Sequence, residues 1–183
     1  MDPRAATRVS KFLSQHLRHQ PQAIGLTLQA GGWVEVADLL AACAAHGHPL
    51  TRDELEDLVE DNDKQRFAFD ESGLRLRAQQ GHSVEVDLQL TPAAPPAVLY
   101  HGTAPAALPA IRAAGLQKMS RHHVHLTTDE ATARRVGQRR GRPVLLAVEA
   151  GALHAAGGVF YKSGNGVWLV DSVPPQYVRE LPG

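Results

Sequence analysis

This 183-residue chain is short of cysteine, of aromatics and of long apolar runs, and each shortage excludes something. Its single cysteine, Cys43, lies in an alanine-rich apolar stretch. That leaves no disulfide framework and no cysteine-built metal site, and it suits a reducing compartment. No segment approaches the roughly 20 apolar residues that cross a bilayer. The opening MDPRAATRVSK also lacks the apolar centre of a signal peptide. A soluble, cytoplasmic protein with no membrane partner is expected. Net charge is missing too, with 19 basic residues against 19 acidic. The zero conceals an asymmetry: residues 1–90 carry 9 basic against 14 acidic side chains, and residues 91–183 carry 10 against 5. Such a distribution points to an anionic ligand on the second half, or to two lobes of opposite sign that attract each other.

What is present suffices for one moderate core or two small ones, 43% of the residues being hydrophobic, and two cores fit the pattern better. The boundary is TPAAPPA, residues 91–97, where three prolines without hydrophobic periodicity predict a short stiff linker. Before it, Val9, Phe12, Leu13 and Leu17 share one helical face, and an alternating GLTL, a GG turn and WVEV follow. A helix over about Val36–Ala45 ends at Gly47. Thr51 with Glu54 caps DELEDLVED, and RFAFD, ESG and LRLRAQ read as a hairpin. Residues 1–90 are therefore expected to form a winged-helix-like lobe. After the linker, AVLYHGT is a strand and PAALPAIRAAG a helix closed by Gly115. HVHLT is a strand, Thr127 with Glu130 caps DEATARRVG, and RPVLLAVEA, GGVFYKS, NGVWLV and PPQYVREL supply further strands. Residues 98–183 are thus expected to be a β-rich α+β lobe, sandwich-like rather than doubly wound. No GxGxxG follows a strand, which argues against a Rossmann site.

Taken singly, the candidate residues have ordinary explanations. Arg18 and His19 close the first helix, where cations favour the C-terminal dipole. Arg66, in DNDKQRF, suits an ion pair with Asp61 or Asp63, and Arg121 stands before a strand rich in histidine. His123 and His125 project from one strand face. They could bind metal with His101, although no carboxylate lies near in sequence to complete the set. His101-Gly-Thr103 and His125-Leu-Thr127 form two His-x-Thr stretches that resemble those of the 2H phosphoesterases, whose histidines act as acid and base on RNA phosphates. The glycines of YHGT and SGNGVW expose backbone N–H groups that suit a pyrophosphate, or mark two tight turns. The arginine-rich run at 133–142 could contact phosphates or form a solvated helix face.

The ordered set is far more specific than its parts. SKFLSQHLRHQP, DNDKQRF, RAQQGHS, LYHGT, GLQKMSRHHVHL, FYKSGNGVWLV and VPPQYV occur in the order found in the RNA 2′-phosphotransferases, the Tpt1/KptA family, and the resemblance spans nearly the whole chain. It implies an N-terminal winged-helix-like lobe joined to a C-terminal ADP-ribosyltransferase fold, and NAD-dependent removal of an internal RNA 2′-phosphate. The family's tetrad would fall on Arg18, His19, Arg66 and Arg121. Its NAD-binding histidines would be His101 and His125, and Gly102, Thr103 and Asn165 would be further NAD contacts. Val167 would stand where protein-modifying relatives carry a glutamate that would repel a phosphate. Departures are small: Thr127 stands where many members have serine, and the QRRGRP loop, residues 138–143, need not be typical.

As the resemblance implies it, nicotinamide leaves an oxocarbenium-like ribose that the RNA phosphate captures. A ribose hydroxyl then attacks phosphorus, releasing ADP-ribose 1″,2″-cyclic phosphate, with no metal required. Arg18 and Arg66 would grip the phosphate, Arg121 would serve both steps from the NAD side, and His19 would donate to the leaving oxygen. The phosphate would lie in the crevice between the lobes of a monomer. Spliced tRNA is the substrate of fungal members, and RNA repair is a second context. Two rivals stay open at this stage: an NAD-independent phosphoesterase using His101 and His125, and a non-catalytic winged-helix adaptor, which the acidic first lobe disfavours.

Overall fold

The computed structural model describes residues 1–61, 64–138 and 141–182. The chain divides into two compact units, Met1–Leu90 and Thr91–Gly183, each with its own hydrophobic core.

In the first unit, helix α1 (Pro3–His19) starts where Pro3 fixes the backbone and Asp2 accepts the Ala5 N–H at 3.1 Å. The predicted apolar stripe is the buried one: Val9, Leu13 and Leu17 lie in the core and Phe12 packs beside them. With Leu13 and Leu17 at 0% exposure, truncating either to alanine removes about 2–5 kcal/mol of stability. Helix α2 (Val36–Ala45) covers the expected span, and α3 (Arg52–Glu60) begins with the expected reciprocal cap of Thr51 and Glu54. Strands β1 (Trp33–Glu35), β2 (Phe67–Phe69) and β3 (Arg75–Ala78) form an antiparallel sheet in the order β1-β3-β2. GLTL joins no sheet; the chain passes instead through short 3-10 turns at Pro21–Ile24 and Ala30–Gly32. Cys43 is buried in this core, and burial pushes its thiol up to about 11.

The second unit is built of β4 (Leu99–Thr103), α4 (Leu108–Ala114), β5 (Leu116–Gln117), β6 (Val124–Leu126), α5 (Glu130–Gly137), β7 (Val144–Val148), α6 (Ala150–Ala155), β8 (Phe160–Lys162), β9 (Trp168–Val170), β10 (Ser172–Val173) and β11 (Val178–Glu180). Its sheets run β11-β7-β4, β6-β9-β8 and β10-β5, and each described pairing is antiparallel. One core draws on both three-stranded sheets through Leu99, Leu146 and Val148 on one side and Val124, Leu126, Phe160, Trp168 and Val170 on the other. The class is therefore α+β, as expected from the sequence. The proline-rich segment 91–97 lies along this unit: Ala93 N–H donates to the Phe160 carbonyl at 2.8 Å, and Gly151 N–H to that of Ala97 at 3.0 Å.

One cap differs from expectation. Asp129, not Thr127, caps α5, accepting from the N–H groups of Ala131 (3.4 Å) and Thr132 (2.8 Å). A carboxylate next to the first turn offers two acceptors to a positive helix end and outcompetes a hydroxyl two residues further back. Thr127 Oγ1 instead accepts the Asp129 N–H at 3.2 Å.

Candidate active site

In the first unit, α1 delivers Arg18 and His19 at its last turn, together with His16, so the dipole pairing expected there is present. The orphan carbonyl of Arg18 is satisfied from far along the chain, by the N–H groups of Ser83 (2.9 Å) and Val84 (3.4 Å). His19 Nδ1 lies 2.8 Å from the Ser83 hydroxyl. Arg66 stands just before β2, its carbonyl accepting the Gln79 N–H at 2.9 Å. Arg18 and Arg66 line one groove of about 540 Å³ with Lys11, Lys64, Ser14 and Asp61. The Arg66 partner expected at Asp63 lies outside the described residues, as do Arg139 and Arg140 of the arginine-rich run.

In the second unit, β4 and β6 share a single bridge. Tyr100 N–H donates to Thr127 O at 2.7 Å, and Thr127 N–H to Tyr100 O at 3.0 Å. Continued pairing would bring the His125 carbonyl to Gly102, but the His101 imidazole takes it instead, Nδ1–H donating at 3.0 Å. The strands part at this point. Because the N–H and carbonyl of Tyr100 both bond to Thr127, strand alternation turns the Gly102 N–H the same way, away from β7 and toward the divergent edge. Gly102 is thus part of a strand, not a tight turn. It has no room for a side chain, since a Cβ there would lie 1.7 Å from the Ala133 carbonyl oxygen of α5.

Arg121 joins this edge: its Nη1–H donates to His125 Nδ1 at 3.1 Å, which places the neutral His125 proton on Nε2. His101 is donor at Nδ1 and, when neutral, acceptor at Nε2. Burial holds its pKa below the ordinary imidazole value; the His125 carbonyl pulls the other way, and the Arg121 charge adds to the depression. His123 is likewise lowered, first by burial and then by the neighbouring His122, and its ring meets Tyr161 edge-on. Among the described residues no group of three or more His, Cys, Asp or Glu side chains is arranged to hold a metal ion.

Asn165 sits in the β8–β9 turn, its Oδ1 accepting from the Ser163 hydroxyl at 2.6 Å. The same Ser163 hydroxyl accepts the Val167 N–H at 3.1 Å, so Val167 enters β9 from a fixed turn. His125 and Tyr161 both lie opposite Leu169, so these three share one sheet face, and Val167 immediately precedes β9. Thr103 ends β4 opposite Val144. Within the first unit, then, Arg18 and Arg66 line one groove and His19 meets Ser83, and within the second His101, Arg121 and His125 are joined by hydrogen bonds.

The sequence reading missed Ser83, although RAQQGHS was among the motifs. It also missed two strained positions beside the arginines, Gln65 (φ 38°) before Arg66 and Met119 (φ 55°) in the turn that Arg121 closes with its N–H to the Lys118 carbonyl. Positive φ at a non-glycine leaves no mark in composition or periodicity.

Grooves and strand edges lined by guanidinium and imidazole groups suit the handling of phosphate anions, and comparison with known proteins sets the class. The chain belongs to the RNA 2′-phosphotransferase, Tpt1/KptA family, whose model matches residues 4–172, a span that includes every candidate residue above. Among its relatives, a "Probable RNA 2′-phosphotransferase" of Trichormus variabilis is 56% identical over 181 residues, covering 99% of this chain and 100% of that one. Proteins of the same description from Streptomyces coelicolor and Pseudomonas aeruginosa are 57% and 51% identical, over 98% of this chain in each case and 97% and 100% of theirs.

Proposed function

We propose that this chain removes an internal 2′-phosphate from RNA by transferring it to NAD, releasing nicotinamide and ADP-ribose 1″,2″-cyclic phosphate. The observation that carries the reading is the linkage of Arg121, His125 and His101 by two hydrogen bonds where β4 and β6 part. The first unit is read as winged-helix-like and RNA-facing, the second as ADP-ribosyltransferase-like, with 91–97 joining them. The acting unit is a single cytoplasmic chain; no helix among the described residues is long and apolar enough to cross a membrane.

The residues at the strand edge fit a nicotinamide riboside. The Gly102 N–H can donate to a carboxamide oxygen. The Nε2 of a neutral His101 can accept from a ribose hydroxyl, its neutrality favoured by burial. The His125 ring, fixed by Arg121, can cover the nicotinamide face, and Thr103 and Asn165 serve as outer contacts. NAD, a consumed co-substrate, supplies the ribose carbon that accepts the phosphate and the leaving group that departs from it. Val167, just before β9, puts no carboxylate there, and a phosphate dianion can approach without like-charge repulsion.

A 2′-phosphate is already ionised and needs no base. Its requirement is oriented cations, and Arg18 and Arg66, lining one groove, can grip it through charge-assisted hydrogen bonds. Contacts that persist as charge shifts onto the transferred group lower the barrier more than tight ground-state binding does. Arg121 takes that part, and His19 donates to the RNA oxygen as it leaves. No observation favours the phosphoesterase alternative. The test is one incubation of a 2′-phosphorylated oligonucleotide with and without NAD: phosphate loss is expected only with NAD. Loss in its absence would return the phosphoesterase reading.

A further inference from the structure

We propose that Ser83 is the positioning residue for His19, holding its imidazole so that the proton it gives to RNA sits on Nε2; this role rests on the function proposed above. The two residues are 64 positions apart, and their contact is a hydrogen bond of 2.8 Å between the Ser83 hydroxyl and Nδ1. The backbone beneath that hydroxyl is anchored twice. Ser83 N–H donates to the Arg18 carbonyl at 2.9 Å, so the same residue touches both members of the Arg18–His19 pair. Its neighbour His82 is fully buried, with its ring against Gly32, where a Cβ would lie 3.4 Å from the His82 Nε2.

A hydroxyl is suited to this work because its oxygen accepts from Nδ1–H without adding charge. In the imidazolium, Nδ1–H donates to Oγ and Nε2–H points to the far side of the ring from Ser83. Once Nε2 has given its proton to the departing RNA oxygen, the neutral ring keeps its Nδ1–H on Ser83 Oγ, and Nε2 regains a proton from solvent with no ring flip. A carboxylate at this position would favour the charged ring throughout, and an apolar side chain would remove the acceptor. Backbone and side chain separate cleanly here. Capping of α1 uses the Ser83 N–H, which any non-proline residue supplies, whereas orientation of His19 uses only the hydroxyl.

The experiment compares full-length wild type, Ser83→Ala and Ser83→Thr. With histidine nitrogens labelled, and the His19 signals assigned by their loss in His19→Gln, nitrogen NMR is expected to show a protonated Nδ1 and unprotonated Nε2 for the neutral wild-type ring, and a tautomer mixture in Ser83→Ala. Turnover of a 2′-phosphorylated oligonucleotide with NAD is expected to fall on the order of 10- to 100-fold in Ser83→Ala. KM for RNA and the melting temperature should stay unchanged, and Ser83→Thr should recover activity. Wild-type turnover in Ser83→Ala, an unchanged His19 tautomer, or equal losses in the alanine and threonine variants would overturn the proposal. If wild type itself releases no phosphate with NAD, the function proposed above fails, while the tautomer comparison still decides whether Ser83 orients His19.

Discussion

In the proposed reaction, Arg18 and Arg121 are the single side chains that bear most directly on the chemistry. Each offers a planar fork that a lysine cannot copy; Arg121 is exposed, whereas Arg18 is half-buried with its Nε and Nη2 enclosed. Arg18→Ala and Arg121→Ala are each expected to lower kcat/KM by on the order of 10²–10³, the scale seen when one preorganised donor is removed. Single-turnover assays check this, and wild-type rates in both variants would contradict the assignment. His101 makes a prediction of another kind. Burial depresses its folded pKa below the ordinary value of about 6.5. Below that pH the unfolded chain binds more protons than the folded one, so the stability His101 contributes is complete above about pH 6.5 and lost as pH falls toward the folded pKa. His101→Asn, whose amide can still donate to the His125 carbonyl, should lose less stability than wild type between about pH 7.5 and about 5.5. Thermal melts across that range test it, and parallel curves for the two proteins would refute it. The arginines and histidines were legible in the sequence because they sit in short ordered motifs. Ser83 was not, because its partner is joined to it only by the fold.

At the level of elements, β4 and α5 hold the strand edge in place, and Gly102 is their tightest contact. Gly102→Ala sets a methyl 1.7 Å from a backbone oxygen that cannot rotate aside, so α5 must lift from β4. A loss of about 1–3 kcal/mol or more is expected, read as a lower denaturation midpoint, and an unchanged midpoint would contradict the packing described. Helices α1, α2 and α3 and the β2–β3 hairpin could be read from the sequence because their signals are local: an apolar stripe at helical spacing, a capping box, a turn between alternating runs. Helix α6 and strands β5 and β10 could not. Six residues carry too little periodicity to register, and a two-residue strand exists only through a partner distant in sequence, as Leu116 with Val173. The α5 cap was misread because Thr127, Thr128 and Asp129 are all competent caps, and only the folded geometry selects among them.

For the whole molecule, the reading assigns two sets of residues, one in each unit, to a single reaction. If they serve one transfer, the losses from Arg18→Ala and Arg121→Ala will be far from additive, the double variant being little worse than the weaker single one; a fully multiplicative loss would argue that the two act independently. The opposite charge of the two halves, −5 for residues 1–90 and +5 for 91–183, was visible in composition, whereas the β4–β6 divergence that gives the second half its strand edge was not. Most directly, the destination of the phosphorus tests the account: mass spectrometry of the small-molecule products from NAD and a 2′-phosphorylated oligonucleotide. Equal amounts of nicotinamide and ADP-ribose 1″,2″-cyclic phosphate, matching the 2′-hydroxyl RNA formed, are predicted; inorganic phosphate with NAD left intact would contradict it.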